Sequence, residues 1–343
     1  MNILFHLPGE MSSGIYVKNG AIPKELFYGS DVLCKFHNVD LDEQRFNSLA
    51  RFVPNIWKRN GIGLFNLRSA TKIVRSDLII IKDVFSLFIS LLAKLVGKRV
   101  IYVDSMFEPP KNLITKYIFK KCIVWSYRTI SFSRGQNEKW TQLLNLPPDK
   151  IESFPFCIDF GFYADLTIPS NLHKNFFIAI GRDTGRDYSS LVNLFGGIES
   201  ELHLVTLRYL LDEIESVPNN VHLYGSLSYE ELSKLYSKCT AHIIPLKKAY
   251  CYPSGIRAIL ESFAFRVPVI ATRTPVLEEY FGGYEFFVEP EDLEKFKDVI
   301  VRWEELLPTI NFEKIYDFAK EKYDYSIYCE KLMSLVDSIN KTH

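Results

Sequence analysis

Two arginines lie where a predicted strand turns into a helix, in a pattern that suits a diphosphate. The strand is predicted to end at Gly181, and Arg182 and Arg186 precede the next helix. Glycine lets a phosphate oxygen approach the backbone, and a helix start offers unpaired N–H groups and a favourable dipole. Each guanidinium can bind two oxygens at once. The pattern therefore predicts a diphosphate site, with surface ion pairs to Asp183 and Asp187 as the alternative.

A second candidate site lies at the start of an apolar helix that carries a single acid. Ser254 can cap this helix, and Gly255 permits close approach of a ligand to the backbone. Arg257 would stand in the first turn, where the helix dipole disfavours a cation unless it faces an anion. Glu261, four residues later, would share its face. The alternative is a simple intrahelical ion pair, but apolar residues on the remaining faces favour a pair that lines a ligand cleft.

Two further carboxylates are predicted at the carboxyl ends of N-terminal strands, where ligands bind in open α/β sheets. Asp104 follows the apolar segment RVIYV, and Asp83 follows the segment LIIIK. Either side chain could instead cap a helix, and capping is the favoured interpretation of Asp83. Asp104 is therefore the better candidate for a residue that faces a ligand.

The elements that must position these residues alternate in a regular way. Apolar strands and amphipathic helices succeed each other in both halves of the chain, which predicts two doubly wound α/β domains. Loop composition near residues 160–173 marks the boundary. We therefore predict an N-terminal domain over 1–165, a C-terminal domain over 166–325 and a terminal helix over 326–343.

Composition excludes several classes of protein. The 343 residues are too many for one ordinary core, and 47% of them are hydrophobic and 24% charged, as in soluble globular proteins. The six cysteines show neither disulfide nor zinc spacing, which indicates reduced thiols in the cytosol. The first residues, MNILFHLPG, predict a buried strand rather than a signal peptide, and the longest apolar run, 84–97, is too short to span a bilayer.

The net charge of zero hides an uneven distribution. Residues 1–160 carry 22 Lys and Arg against 14 Asp and Glu, and the remainder carries 19 against 27. Aromatic residues are interleaved with seven bases between Glu43 and Asp77: Arg45, Arg51, Lys58, Arg59, Arg68, Lys72 and Arg75. Residues 111–121 add four lysines. Such a surface suits an anionic membrane or a lipid-diphosphate-linked glycan, with nucleic acid or a solvated basic face as alternatives.

The second half of the chain resembles the family 4 retaining glycosyltransferases. It contains a strand ending in glycine, a helix of the type EEL..LY, a strand ending in proline, and the stretch SGIRAILESFAFRVPVIAT. The segment IGRDTGRDY resembles the Gly-Arg…Lys diphosphate loop of that family. The order of motifs matches over about residues 77–340, whereas the first 75 residues share only the first strand.

This resemblance implies the GT-B fold, in which two Rossmann-like domains face each other across a cleft and a C-terminal helix packs back on the first domain. It implies that Arg182 holds the donor diphosphate and that Arg186 replaces the usual lysine, one residue closer. Glu261 matches the second glutamate of the family's E-x7-E motif, which binds the ribose hydroxyls.

The remaining implied site residues lie at strand ends and loops. Ser254 and Gly255 match the loop whose backbone meets the sugar and the phosphate. Gly181 and Gly225, each at the end of a strand, complete the predicted donor-binding set. Asp104 stands near the place where the family often has a histidine close to the anomeric carbon.

The chain also departs from the family pattern. Pro253 occupies the position of the first glutamate of E-x7-E, which contacts the hydroxyls of the donor sugar in the family. Arg257 fits a Gly-x-Arg…Leu-Glu version of the helix that some branches carry. The nucleotide half of the motif is therefore retained, whereas the sugar half is altered.

The resemblance implies a metal-independent retaining glycosyltransferase without a cofactor. It would move a sugar from an NDP-sugar (UDP or GDP) to a glycan or lipid-linked glycan bound by the basic N-terminal domain, in bacterial-type surface polysaccharide synthesis. We expect a cytoplasmic protein, with peripheral contact to the inner face of an anionic membrane as an option and no nucleic-acid partner. The alternatives are a non-catalytic nucleotide-sugar-binding subunit and a GT-B nucleotide-sugar epimerase. The D-x-D pattern at Asp40 and Asp42 lies far from any glycine-rich turn, so a metal-dependent GT-A enzyme is discounted.

Overall fold

The chain forms two compact units, each built on one parallel sheet. The computed structural model describes residues 1–8, 20–44, 67–82, 85–103, 112–168, 176–212 and 214–341. The first unit is Met1–Pro155 with Ser326–His343, and the second is Phe156–Tyr325. Helices accompany both sheets, which confirms the predicted α/β class.

The first unit contains a six-stranded sheet in the order β2-β1-β3-β4-β5-β6. Its strands are β1 (Asn2–Pro8), β2 (Asn38–Gln44), β3 (Leu78–Lys82), β4 (Arg99–Val103), β5 (Arg128–Ser131) and β6 (Ile151–Ser153). Its first five helices are α1 (Ser30–Leu33), α2 (Leu67–Arg75), α3 (Leu87–Leu95), α4 (Leu113–Trp125) and α5 (Arg134–Leu144). All strand pairs are parallel, as the unbroken apolar run of β3 predicts.

The strand β2, which was not predicted from the sequence, pairs with β1 at the edge of the sheet. The strand carries the D-x-D pattern. Asp42 Oδ2 is buried and accepts hydrogen bonds from His6 Nδ1 at 3.0 Å and Ser69 Oγ at 2.7 Å. Burial alone would raise the pKa of Asp42, but these hydrogen bonds, together with the electrostatic attraction of His6 and Lys72, lower the pKa. Lys72 Nζ donates to Asp40 Oδ1 at 3.0 Å, so both carboxylates stabilise the edge of this sheet.

The second unit contains a six-stranded parallel sheet in the order β12-β11-β10-β7-β8-β9. Its strands are β7 (Phe176–Ile180), β8 (Glu201–Val205), β9 (Val221–Tyr224), β10 (Cys239–Ile244), β11 (Val269–Thr272) and β12 (Phe287–Val288). Its α-helices continue the numbering of the first unit. They are α6 (Phe160–Leu166), α7 (Tyr188–Phe195), α8 (Tyr229–Lys238), α9 (Ile256–Ala264), α10 (Pro275–Phe281), α11 (Leu293–Val301), α12 (Trp303–Leu306) and α13 (Phe312–Tyr323).

The strand order of this second sheet reverses between β7 and β10, which are neighbours. From β7 the chain proceeds outward through β8 to β9, and from β10 it proceeds the other way through β11 to β12. In open α/β sheets, ligands bind in the crevice at the carboxyl ends of the strands, where the order reverses. The loops after β7 and β10 are therefore the place to look for a site.

One face of the second sheet packs on an apolar core that includes Trp303 and Phe195. From β8 and β9, Leu202, Leu204 and Val221 enter this core. Side chains alternate between the two faces of a strand, so the intervening residues of β8 and β9 lie on the opposite face.

The chain ends with two helices, the second of which corresponds to the terminal helix predicted over 326–343. The first is α13, and the second is α14 (Tyr325–Asn340). Residues from Ser326 onward belong to the first unit, where Arg99 Nη1 donates to the carbonyl of Ile339 at 2.8 Å. Within the ranges that the structure describes, no helix is long and apolar enough to cross a membrane.

Candidate functional site

The loop after β7 holds a buried arginine directly against a glycine. Arg186 is only 6% exposed. A Cβ atom added to Gly181 would lie 2.8 Å from Arg186 Nε and 2.9 Å from Tyr188 Oη. A side chain at position 181 would therefore displace the guanidinium, which explains the requirement for glycine at the end of this strand.

Two N–H groups of the Arg186 guanidinium lack a hydrogen-bond partner among the described residues. Among the described residues, its Nε and Nη1 atoms are buried and have no hydrogen-bond partner. A buried cation without a partner is energetically unfavourable, since both its charge and its N–H groups have lost water. Such a group at the carboxyl end of β7 is suited to an anion that arrives as a ligand.

A neutral histidine lies behind the arginine loop. His242, on β10, is fully buried, and its Nε2 accepts a hydrogen bond from Ile180 N at 3.1 Å. Its Nδ1 lies 2.7 Å from Ser262 Oγ on α9. Burial, with the charge of Arg186, lowers the pKa of His242 to about 3. The imidazole therefore stays neutral and ties the end of β7 to α9 without offsetting the arginine charge.

Asp183 connects the arginine loop to the loop before α9. Its Oδ1 accepts a hydrogen bond from Gly185 N at 2.9 Å, and its Oδ2 accepts one from Ser254 Oγ. The predicted surface ion pair between Asp183 and an arginine is thus replaced by hydrogen bonds that join the two loops. Gly185 is needed here too, because a Cβ atom would lie 2.8 Å from the ring of Tyr250.

The helix α9 begins at Ile256, and its N-cap is Gly255 rather than Ser254. Gly255 has φ 89° and ψ −19°, in the left-handed region that favours glycine, and no side chain caps the helix. The predicted capping role of Ser254 is therefore wrong, because its hydroxyl donates to Asp183 instead. Since none of the described side chains caps α9, the start of this helix at the switch point favours an anion through its dipole.

Arg257 and Glu261 form the predicted pair on one face of α9. Arg257 Nε donates to Glu261 Oε1 at 2.7 Å. The hydroxyl of Tyr163, on α6, donates to the same oxygen at 2.9 Å. Arg257 Nη2 also reaches the hydroxyl of Tyr229, on α8, at 2.9 Å. Glu261 is 9% exposed, so this is a partly desolvated cluster rather than a surface ion pair.

Both hydrogen bonds that the described residues donate to the carboxylate of Glu261 end on Oε1. The second oxygen, Oε2, is therefore available to a hydroxyl group of a ligand. Since Arg257 and Tyr163 fix the orientation of the carboxylate, this acceptor is already positioned before a ligand binds.

The predicted site residues fall into two groups. Gly181, Arg186, Ser254, Gly255, Arg257 and Glu261 lie on the loops and the helix that follow β7 and β10. Arg182 lies on the same loop but is exposed. Gly225 is exposed at the end of the edge strand β9, with no atom within 4 Å of a Cβ placed there. Asp104 and Asp83 lie outside the described residues.

Sequence reasoning missed Tyr163 and Tyr229, which hold the Arg257–Glu261 pair. Tyr229 is the first residue of α8 and follows Ser228, the N-cap that forms a capping box with Glu231. The location of Tyr229 at the start of the helix that follows β9 was the available signal for a site residue. Tyr163 gave none, because α6 falls within residues 160–173, whose composition predicted a loop at the domain boundary.

Part of the second unit matches a known protein family. Residues 194–313 match the family model described as Glycosyl transferases group 1. This part of the chain is therefore similar to a group 1 glycosyltransferase domain, and it includes β8 to β12 together with the whole of α9. No curated protein matches the chain significantly in sequence.

The chain resembles several solved structures over its full length. A glycosyltransferase from Rickettsia africae ESF-5 has a TM-score of 0.73 and 15% identity, covering 100% of this chain and 99% of that one. Sucrose-phosphate synthase from Thermosynechococcus elongatus has a TM-score of 0.70 and 14% identity, covering 100% of both chains. HepE from Anabaena, solved in complex with UDP and glucose, has a TM-score of 0.68 and 14% identity, covering 98% of this chain and 100% of that one. These similarities establish the GT-B fold.

Proposed function

We propose that the protein is a retaining glycosyltransferase that transfers a sugar from an NDP-sugar, with UDP or GDP, to a glycan or lipid-linked glycan. The observation that carries the proposal is the buried, unpaired guanidinium of Arg186 at the switch point of the second sheet. A diphosphate is an anion of suitable charge and geometry for this group. The group 1 domain match and the UDP bound by HepE support a nucleotide-linked donor.

The donor would bind along the loops that follow β7 and β10. Its diphosphate would pair with Arg186 and with the exposed Arg182, and it would lie at the start of α9, where the helix dipole favours an anion. Its ribose hydroxyls would donate to Glu261 Oε2. These two subsites are joined in the structure, since Asp183 bonds both to Gly185 and to Ser254.

The chemistry expected of this site is stabilisation of a leaving group. When the bond between the sugar and the diphosphate breaks, negative charge develops on the diphosphate, and preorganised cations lower the barrier in proportion to that charge. Arg186 and Arg182 supply this charge from the protein, so we propose a reaction that needs neither a metal ion nor a cofactor. The donor phosphate would accept the proton of the acceptor.

The sugar subsite is proposed to differ from the family pattern. Pro253 has no side-chain oxygen to accept a bond from a sugar hydroxyl, and it lies beside Tyr252, whose hydroxyl packs against Gly185. A site with fewer acceptors for hydroxyls favours a sugar with fewer free hydroxyls, such as a deoxy or acylated sugar. We propose a surface polysaccharide as the product class.

Thermal denaturation with a panel of nucleotides tests the donor assignment. A ligand at a hundredfold its Kd stabilises the fold by about 2.7 kcal/mol, which raises Tm by roughly 5 to 10 °C in a unit of this size. We expect UDP or GDP to produce this shift and AMP to produce none. If every nucleotide leaves Tm unchanged, the site assignment fails.

Product analysis with the nucleotide-sugar that binds then separates the candidate functions. Transfer or slow hydrolysis of that donor is expected of a glycosyltransferase. Binding without turnover favours the non-catalytic subunit, and inversion of a sugar hydroxyl favours the epimerase.

The acceptor side is proposed to contact an anionic membrane through neighbouring helices of the first unit. α3 and α4 pack together, and each exposes apolar side chains: Phe88, Leu91, Leu95, Leu113, Ile114 and Tyr117. We call this surface the α3–α4 face. Lys94 and Lys121 flank it, with their Nζ atoms 4.8 Å and 5.9 Å from the ring centroid of Trp125. Apolar residues bordered by lysines are typical of helices that lie in a membrane interface. The basic segment 45–66 lies outside the described residues.

Vesicle sedimentation tests the α3–α4 face. We expect the protein to sediment with phosphatidylglycerol vesicles and not with phosphatidylcholine vesicles, since the lysines need an anionic surface. Replacing both Leu113 and Ile114 with glutamate should abolish this binding, because the two side chains are 80% and 65% exposed and would carry charge into the interface. Val301→Glu, 61% exposed on α11 of the second unit, is the matched control and should bind as wild type does. Equal sedimentation of the double variant would show that another surface binds the membrane.

A further inference from the structure

Three potential metal ligands meet on the face of the second sheet opposite its apolar core. Glu201 and His203 are two residues apart on β8, so their side chains share a face. His222 on β9 is the direct cross-strand partner of His203. The sequence showed no metal-binding spacing because the two strands bring these residues together from separate segments.

The three side chains converge on one point. His203 Nε2 and His222 Nε2 each lie 3.7 Å from Glu201 Oε2. One ligand atom of each residue lies within 4.8 Å of those of the other two. In a tetrahedral zinc site with bonds of 2.0 to 2.2 Å, ligand atoms stand about 3.4 Å apart. The observed separations therefore need only small rotations of side chains to match that geometry.

The central ligand is already held in place. His203 is stacked between aromatic rings, with its ring centroid 3.8 Å from that of Phe176 and 5.5 Å from that of Tyr224. Its Nδ1 lies 2.9 Å from Tyr224 Oη. When Nδ1–H donates to this hydroxyl, Nε2 carries the free lone pair and points toward Glu201. Histidines that bind metals are oriented by such outer hydrogen bonds.

The outer two ligands are reachable from solvent. The side chains of Glu201 and His222 are 53% and 44% exposed, whereas that of His203 is 14% exposed. An ion can therefore enter without opening the fold, and a water molecule can complete its coordination.

We propose that Glu201, His203 and His222 bind a divalent transition-metal ion of the zinc type. Two imidazoles and one carboxylate suit zinc, cobalt and nickel better than magnesium or calcium, which prefer oxygen ligands. The ion would clip the edge strand β9 to β8. The site lies at the amino end of β8, where Glu201 pairs with Phe176, whereas the donor loops follow the carboxyl ends. The proposed ion is therefore structural and takes no part in sugar transfer.

Titration of the chelator-treated full-length protein with Co²⁺ and Zn²⁺ tests the proposal. We expect one equivalent to bind, with the visible absorption of protein-bound cobalt and a rise in Tm on adding Zn²⁺. His222→Ala and Glu201→Gln should each weaken binding by at least about tenfold and remove the rise in Tm. Glu199→Gln, an exposed change in the preceding loop, is the matched control and should behave as wild type.

Two results would overturn the metal site. One is failure of the wild-type protein to bind a stoichiometric ion, and the other is equal affinity of wild type and the His222→Ala variant. Both variants alter well-exposed side chains, so a folded protein is expected, which far-ultraviolet circular dichroism will verify. Nucleotide binding by the metal-free protein is measured separately. Failure of the metal-site proposal can therefore be distinguished from failure of the donor-site proposal.

Discussion

Replacing Arg186 with methionine should lower kcat for sugar transfer by about 10²- to 10³-fold, the usual effect of removing a preorganised group that stabilises developing negative charge. Nucleotide affinity should fall by roughly tenfold to a hundredfold, because hydrogen bonds to charged groups contribute about 1.5–3 kcal/mol. Methionine approximates the length of the arginine side chain without its charge. Steady-state kinetics and calorimetric titration with the bound nucleotide measure the two effects.

The stability of the ligand-free variant distinguishes a binding role of Arg186 from a structural one. Since the wild-type guanidinium is buried and its Nε and Nη1 are unpaired, Arg186→Met should leave Tm of the ligand-free protein unchanged or raise it. A residue that merely holds the fold together would lower Tm on substitution. Arg302→Met is the control, because Arg302 is an exposed arginine of the same unit that pairs with Glu305. A variant that loses stability and keeps its nucleotide affinity would refute the assignment.

Glu261→Gln should raise KM for the NDP-sugar by roughly tenfold to a hundredfold with a smaller change in kcat. The amide keeps the shape of the carboxylate but is a weaker acceptor for the ribose hydroxyls. Wild type should discriminate strongly against the 2′-deoxyribose form of its donor, and the variant should lose most of that discrimination. Comparison of kcat/KM for the two donors measures this directly.

Two further variants serve as comparisons for Glu261→Gln, one with a weaker expected effect and one with none. Tyr163→Phe removes the hydroxyl that donates to Glu261 Oε1 but keeps the ring, so it should raise KM by a lesser factor. Glu231→Gln alters only the exposed capping box of α8 and should leave KM unchanged. If Glu261→Gln keeps full preference for the ribose donor, the carboxylate serves α9 alone and the ribose subsite lies elsewhere.

The sequence predicted the second unit more completely than the first. A buried parallel strand such as β7 is an unbroken apolar run, and the glycines and arginines after it are local signals. β2 escaped prediction because an edge strand alternates polar and apolar residues, and its polar side chains gain partners only through tertiary contacts with His6, Ser69 and Lys72.

The sequence could predict individual residues of the candidate site, but not their burial or the hydrogen bonds between its loops. Spacing along one helix was enough to pair Arg257 with Glu261. It could not show that Arg186 is buried and Arg182 exposed, because that difference arises from packing against Gly181. Nor could it show that Ser254 bonds to Asp183, since two loops from separate strands meet there.

The unpaired charge of Arg186 also bears on how long the chain survives in a cell. Proteases cleave transiently opened molecules, and the population of these depends on the free energy of unfolding. A diphosphate that binds Arg186 in the folded protein raises the free energy of unfolding by mass action and so lowers the population of opened molecules. Without this ligand, the second unit keeps a buried cation whose Nε and Nη1 atoms are unpaired among the described residues. On the proposed donor assignment, the abundance of the protein would thus follow the supply of the nucleotide-sugar, so that the chain is retained when this ligand is present and removed when it is not.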